Sequence, residues 1–305
     1  MKTSICDVPG LRVGHFHLEH AWTGCTVIFP DQPVVAGVDV RGSAPGTREI
    51  ELLKPVRLVE KIHAVLLTGG SAFGLDAAGG VQQYLEERDI GFDVGVARVP
   101  IVPTAVIFDL AVRDSSVRPD KNMGYKSCEN AASKWVKEGR VGAGCGATVG
   151  KLLGMEQCSP GGVGSASVSL KNGIIIGALS VVNAFGEIVD ETGKILAGVR
   201  NTESTDFIPC LDILANQAAE ASFAGSNTTL SVVATNALLN RETATKVAQM
   251  AQDGLAKAIR PAHTMLDGDI VFALSTGEIE ADVNTVGAFA CEVVAESVRR
   301  AALGA

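Results

Sequence analysis

The chain has 305 residues, 47% of them hydrophobic, which is enough to bury a large core; 34 acidic against 26 basic side chains leave a net charge of −8. No basic run stands out, so nucleic acid and anionic membrane surfaces are set aside as partners. Met1 to Gly10 has no apolar signal region, stretches such as Ile174 to Val182 are too short to span a bilayer, and the seven scattered cysteines form no CxxC pair, so a cytoplasmic chain with reduced thiols is expected.

In chain order, the opening Val8-Pro9-Gly10-Leu11-Arg12-Val13-Gly14-His15 reads as a turn and then a short strand. Cys25 to Phe29 and Val34 to Val40 read as two more strands, broken by Pro30-Asp31-Gln32-Pro33. His15 and His17 share a strand face, read as a solvated edge, and the five histidines show no metal-ligand spacing. The loop 41–49 is rich in small residues, and Thr47 caps an expected helix from Arg48 to Leu53. Ala64 to Leu67 is a short buried strand leading through Thr68-Gly69-Gly70-Ser71-Ala72-Phe73-Gly74 into a helix ending near Glu87. Strand, glycine turn and helix make a phosphate-cradle shape, but the pattern is neither GxGxxG nor GxxxxGK[ST]; glycines packed at the wall of a site account for it better.

Ala105 to Leu110 reads as a strand and Asn130 to Glu138 as a helix. A second glycine-rich segment, Gly142 to Gly150, ends in Lys151. Gly161 to Leu170 and Gly173 to Val182 form an expected hairpin joined at Lys171-Asn172-Gly173, with Asn183 closing its second strand. Thr205 to Phe223 carries a helix, centred on Asp212 to Ala221. A small polar hinge, Gly225-Ser226-Asn227, then enters the β-branched run Thr228 to Asn236, read as a buried strand. Asn240 caps a helix from Arg241 to about Ile259, Pro261 follows, Asp269 to Leu274 is a strand and Val283 to Leu303 a long helix. No repeat or linker appears, so residues 1–305 are expected to form a single α/β domain of sheets covered by helices.

Thr228 sits at the mouth of its strand, where a side chain is both accessible and rigidly held. It is either the first residue of an ordinary strand or a nucleophile freed by cleavage between Asn227 and Thr228, since a threonine can be activated by its own terminal amine. Asp267 and Asp269, spaced i, i+2, point to one side of an extended segment, where like charges are kept for a cation, a metal or a hydroxyl they orient; a solvated acidic turn is the alternative. Lys151 is either a surface lysine or a cation that steadies developing negative charge. The Asn183 amide either closes a turn or donates to an oxyanion.

Val8 to His15, Arg41 to Glu49, Thr68 to Leu75, Gly144 to Lys151, Val181-Val182-Asn183-Ala184 and Asn227-Thr228-Thr229 resemble, in order along the chain, the motifs of the P1 (S58) peptidase family. Its members include L-aminopeptidase/D-esterases, β-peptidyl aminopeptidases and nylon-oligomer hydrolases. The resemblance runs over nearly the whole chain. It implies a four-layer αββα sandwich similar to N-terminal nucleophile hydrolases with different strand connectivity, and self-cleavage into chains 1–227 and 228–305.

It further implies Thr228 as nucleophile and Lys151, Asn183, Asp267 and Asp269 as supporting polar groups, in the manner of the nylon-oligomer hydrolase branch. Aminopeptidase members use a serine nucleophile and place a serine and an acid where this chain has Asp267 and Asp269, which sets aminopeptidase specificity in question. Phe108 stands in the substrate site where some members carry a tyrosine. The implied activity is hydrolysis of short peptides, amides or amide oligomers by a homo-oligomer, often a tetramer, without metal or organic cofactor. Alternatives are an acyltransferase of the ornithine acetyltransferase type and a non-cleaving binding protein.

Overall fold

In the computed structural model, residues 3–216 and 227–304 are described. Two large sheets carry the fold. In one, the strands Leu11–Leu18, Thr23–Pro30, Val65–Thr68, Thr104–Val106 and Thr47–Arg48 lie side by side in that order. In the other, the order is Gly162–Ser169, Ile175–Asn183, Thr228–Ala237, Ile270–Ile279, Val34–Val40 and Lys61–Ile62. Smaller two- and three-stranded ribbons flank them.

Side-chain alternation along the strands explains the layering. From the second sheet, Leu179, Val181, Leu230, Val232, Ile270, Phe272 and Leu274 point inward, where they meet Leu11, Val13, Ile28, Val65, Leu67 and Ala105 of the first sheet. The intervening residues Ile176, Ala178, Val182, Val233, Val271 and Ala273 face outward beneath the helices Arg241–Ala258 and Val283–Leu303. On the far side, Cys25, Val27, Phe29 and Leu66 pack beneath Ala77–Glu86 and Lys121–Glu129. Strands buried on both faces read as continuous apolar runs, as the second sheet's do. The result is the expected helix–sheet–sheet–helix sandwich.

Strands and helices from Thr228 onward, and the hairpin turning at Gly173 with φ of +87°, fall close to their expected places. The Asn240 cap is present, its side chain accepting from the Thr243 amide at 2.9 Å. Three expectations fail. The expected 130–138 helix is instead Lys121–Glu129: Asp120 is the N-cap, accepting from the Met123 amide at 2.9 Å, and Asn130 is the C-cap. Thr47 caps no helix; Thr47–Arg48 pairs with Thr104 and Ala105, and only a 3₁₀ turn follows over Ile50–Leu53. His15 is not solvated, because its Nδ1 meets Thr26 Oγ1 at 2.9 Å and burial pushes its ring down to about 4. The expected helix over 205–223 is observed as Cys210–Ala215; its remainder and the hinge at 225–226 lie outside the described residues.

Phe272 is fully buried in the central strand between the sheets. Phe272→Ala is expected to lower unfolding free energy by about 3–5 kcal/mol, whereas Val96→Ala, at a 95% exposed position, changes it by less than about 0.5 kcal/mol. Urea titrations followed by circular dichroism check both.

Candidate active site

The pairing of three central strands builds the site. Thr228 opens its strand directly opposite Asn183, in antiparallel register with Ile175–Asn183. On its other side the strand runs parallel to Ile270–Ile279, with Leu230 beside Ile270 and Asn227 bridged to Asp267. Residues 227 and 228 are therefore held against Asp267-Gly268-Asp269. The Gly268 amide donates to the Asn227 carbonyl oxygen at 2.9 Å, and the Thr228 hydroxyl donates to the same oxygen. A glycine is required at 268: a Cβ there would lie 2.7 Å from the Ala44 carbonyl oxygen and 2.9 Å from Thr228 Oγ1.

Lys151, Asn183, Asn227, Thr228, Asp267 and Asp269 are all buried. Lys151 Nζ donates to Asn227 Oδ1 at 3.0 Å, to Asn183 Oδ1 at 2.9 Å and to the Asn183 carbonyl at 3.1 Å. These acceptors suit an ammonium, which offers three donors. Burial nevertheless pushes its pKa down to about 7. The Asn183 side-chain carbonyl also accepts from the Thr148 amide at 3.0 Å, and its Nδ2 donates to the Phe108 carbonyl at 3.2 Å. The backbone amide that meets the Asn227 carbonyl here is the Gly268 amide, while Asn183 ties Lys151 to Phe108, just beyond the strand Thr104–Val106.

The two aspartates have separate partners. Asp267 Oδ2 accepts from the Thr264 amide at 2.9 Å and its hydroxyl at 2.6 Å, and Oδ1 from the Phe185 amide at 3.3 Å. Asp269 Oδ1 accepts from the Thr229 amide at 2.7 Å, and Oδ2 from the His263 amide at 3.0 Å and its Nδ1 at 2.9 Å. Burial, and then the charge of Asp269, push the Asp267 carboxyl up to about 6. The 41–44 loop steadies their backbone: the Arg41 and Gly42 amides donate to the Asp269 carbonyl and the Ala44 amide to that of Asp267. Gly42 permits this approach, since a Cβ there would sit 2.1 Å from the Asp269 nitrogen.

Thr228 opens onto a cavity of about 230 Å³ between Ala44, Pro45 and Gly46 on one side and Ser71, Ala72, Val106 and Phe108 on the other. The glycine turn after Thr68 does form a wall of the site. It is tied in place by the Gly70 amide donating to Asp109 Oδ1 at 2.7 Å and the Ser71 amide to the Ile107 carbonyl at 2.9 Å. The structure brings together Thr228, Lys151, Asn183, Asp267, Asp269 and Phe108, the candidates of the sequence, and sets beside them His263, Thr264, Gly268 and Asp109, which sequence reasoning did not single out. Gly268 had a visible signal, a glycine wedged between two acids beside a candidate nucleophile. Among the described residues no group of three or more His, Cys, Asp or Glu could hold a metal ion.

The helix–sheet–sheet–helix sandwich thus holds a buried lysine, side-chain amides and paired carboxylates around a strand-initial threonine. The profile of peptidase family S58 matches residues 3–305, and the chain belongs to that family, as a hydrolase of the aminopeptidase and amidase type. It is 44% identical to an uncharacterized aminopeptidase of Mycobacterium leprae over 91% of this chain and 80% of that one. It is 32% identical to the 6-aminohexanoate-oligomer endohydrolase of a Kocuria species over 97% of this chain and 85% of that one. The L-aminopeptidase D-Ala-esterase/amidase of Ochrobactrum anthropi, a variant of the Ntn hydrolase fold, superposes with a TM-score of 0.73 at 21% identity, covering 99% of this chain and 86% of that one.

The depressed lysine has a consequence for stability. Between about 7 and the ordinary 10.5, the folded protein has released a proton that the unfolded chain keeps, so Lys151 makes stability rise with pH across that window and adds no slope below it. Thermal unfolding at about pH 7 and pH 9 is expected to show wild type gaining about 2 kcal/mol relative to Lys151→Met. Equal slopes in the two proteins would mean that Lys151 keeps its proton.

Proposed function

We propose that the chain is a self-processing amide hydrolase, a single domain that cleaves itself between Asn227 and Thr228 into chains 1–227 and 228–305 and then uses Thr228 as an N-terminal nucleophile. One observation carries this reading: the Thr228 hydroxyl touches the Asn227 carbonyl oxygen while the Gly268 amide holds that oxygen at 2.9 Å. A hydroxyl, the carbonyl it would attack and an amide that would hold the oxyanion lie side by side, which supports the reading.

In the first step Oγ1 of Thr228 adds to the Asn227 carbonyl carbon. The C–N bond then breaks, leaving an Asn227 ester and a Thr228 amine. Water hydrolyses the ester to the Asn227 carboxylate and frees the hydroxyl, so the steps balance with water alone. The new α-amino group, with an ordinary pKa of about 8, serves as base for its own hydroxyl in turnover. Asp267 and Asp269 orient the strand start, Lys151 balances their charge, and Asn183 fixes Lys151 or, once substrate displaces the Phe108 contact, donates to the substrate oxyanion.

The substrate class is short peptides, amides or amide oligomers. The cavity residues around Thr228 are small and uncharged, and Phe108 offers no hydroxyl, which suits a neutral aliphatic acyl group better than one held by its ammonium. A relative named as a 6-aminohexanoate-oligomer endohydrolase supports an amide-oligomer substrate. The assembly is a homo-oligomer, expected as a tetramer by light scattering; a monomer mass at micromolar concentration would refute it.

Mass spectrometry of purified protein is expected to find two chains, the smaller beginning at Thr228; an intact chain in fresh and aged samples alike overturns the reading. Thr228→Ala remains one chain and is inactive on amides. Asp267→Asn and Asp269→Asn each slow self-cleavage by about a hundredfold. Self-cleavage is also expected to peak between about pH 6 and 7, because Asp267 takes up a proton below that range and Lys151 loses one above it. A rate constant across pH 5 to 9, on the order of four units, would remove both groups from the step.

A further inference from the structure

The dipeptide His263-Thr264 grips the two site carboxylates with the same geometry and different chemistry. Each residue directs its backbone amide and one side-chain donor at a single oxygen: His263 at Asp269 Oδ2, Thr264 at Asp267 Oδ2. The grip depends on an unusual backbone, since His263 adopts the left-handed region with φ of +58°. The threonine hydroxyl is a neutral donor. The imidazole can carry a charge. Two carboxylates in one site acquire different roles when their partners differ in this way.

We propose that His263 is a positioning residue, which fixes Asp269 by a charged hydrogen bond with its second oxygen on the Thr229 amide and so leaves proton exchange within the carboxylate pair to Asp267. The proposal rests on the function proposed above. Burial alone would lower the imidazole pKa, but the hydrogen bond and charge of Asp269 outweigh it and hold it above its ordinary value. The groups facing the ring agree with that balance. Asp269 lies at 2.9 Å, and Asp267 is held by the neighbouring Thr264. Arg41 opposes the charge from a distance, its own guanidinium drawn off by Asp39 at 3.1 Å and Asp253 at 3.4 Å. The helix Arg241–Ala258 presents the uncharged Gln252 backbone. With Oδ2 held by His263, Oδ1 of Asp269 accepts at 2.7 Å from the amide of Thr229, the residue that follows Thr228.

The test compares His263→Ala with His263→Asn, whose amide supplies a neutral donor near the Nδ1 position and which tolerates the left-handed backbone. Self-cleavage of freshly prepared full-length protein is followed by denaturing electrophoresis across pH, with thermal unfolding alongside. His263→Ala is expected to mature at least about tenfold more slowly, with the acid limb of its profile displaced upward by about one pH unit, because without the cation Asp267 takes up its proton sooner. His263→Asn is expected to recover at least about threefold of that rate while keeping the displaced limb, since it restores the hydrogen bond and not the charge. A wild-type rate and profile in His263→Ala overturns the proposal, as do two equally slow variants with the wild-type limb. If His263→Ala does not fold, the limb of His263→Asn decides alone.

A second readout needs no turnover. Histidine ¹³C NMR, with the His263 signal assigned by its loss in His263→Asn, is expected to show its titration midpoint falling in Asp269→Asn; an unchanged midpoint overturns the pair. Wild-type protein that never cleaves would instead refute the proposed function, and the NMR titration would still decide the His263–Asp269 contact.

Discussion

The site depends on one alignment, the parallel register between Thr228–Ala237 and Ile270–Ile279. That register places Leu230 beside Ile270 and so carries Asn227 and Thr228 onto Asp267-Gly268-Asp269. A shift by one residue would turn Leu230, Val232, Ile270 and Phe272 away from the inter-sheet core, so the hydrophobic alternation that holds the sandwich together also fixes Thr228 against its neighbours. Parallel neighbours need a crossover, and the helix Arg241–Ala258 supplies it, covering the outward face of the strands it joins. Core packing and site geometry are therefore one constraint.

That constraint buries charge. Lys151, Asp267 and Asp269 all lie within the folded body, where an unpartnered ion is expensive. Each is surrounded by directed polar groups. Lys151 has two side-chain amides and a carbonyl, Asp267 has two backbone amides and a hydroxyl, and Asp269 has two backbone amides and an imidazole. Fixed dipoles of this kind stabilise charge without reorganising when a reaction begins. They do not fully offset burial, which is why Lys151 falls to about 7 and Asp267 rises to about 6. Two groups with opposite shifts near neutrality can exchange protons in the range where an amide-cleaving centre works.

The long central strands were legible in the sequence because they are apolar runs bounded by glycine, proline or asparagine. Thr228–Ala237 and the 162–183 hairpin are the clearest cases. Errors came from caps. Asn130 looks like the start of a helix and is the end of one, because asparagine serves at both helix ends, and the actual start, Asp120, follows a proline-containing loop that hides it. Thr47 fits a helix cap equally well, but its neighbours find a strand partner at Thr104, a contact across many residues that no local pattern encodes.

The site was legible in residue type and less so in partnership. Spacing i, i+2 puts Asp267 and Asp269 on one side of an extended chain and suggests that they share a target; in the fold they share a neighbourhood and divide their contacts. What divides them is the turn 261–266, where a left-handed His263 lets adjacent residues reach different carboxylates. A lone histidine after a proline has no motif to mark it, and its meaning appears only once the chain has turned back on the strand start. The same holds for the Asn183 amide. Its place at a strand end suggests an oxyanion donor, yet its oxygen accepts from Lys151 and Thr148 and its nitrogen donates to Phe108. The oxygen of Asn227 is met by a backbone amide, a donor that every residue but proline carries and that only the fold can single out.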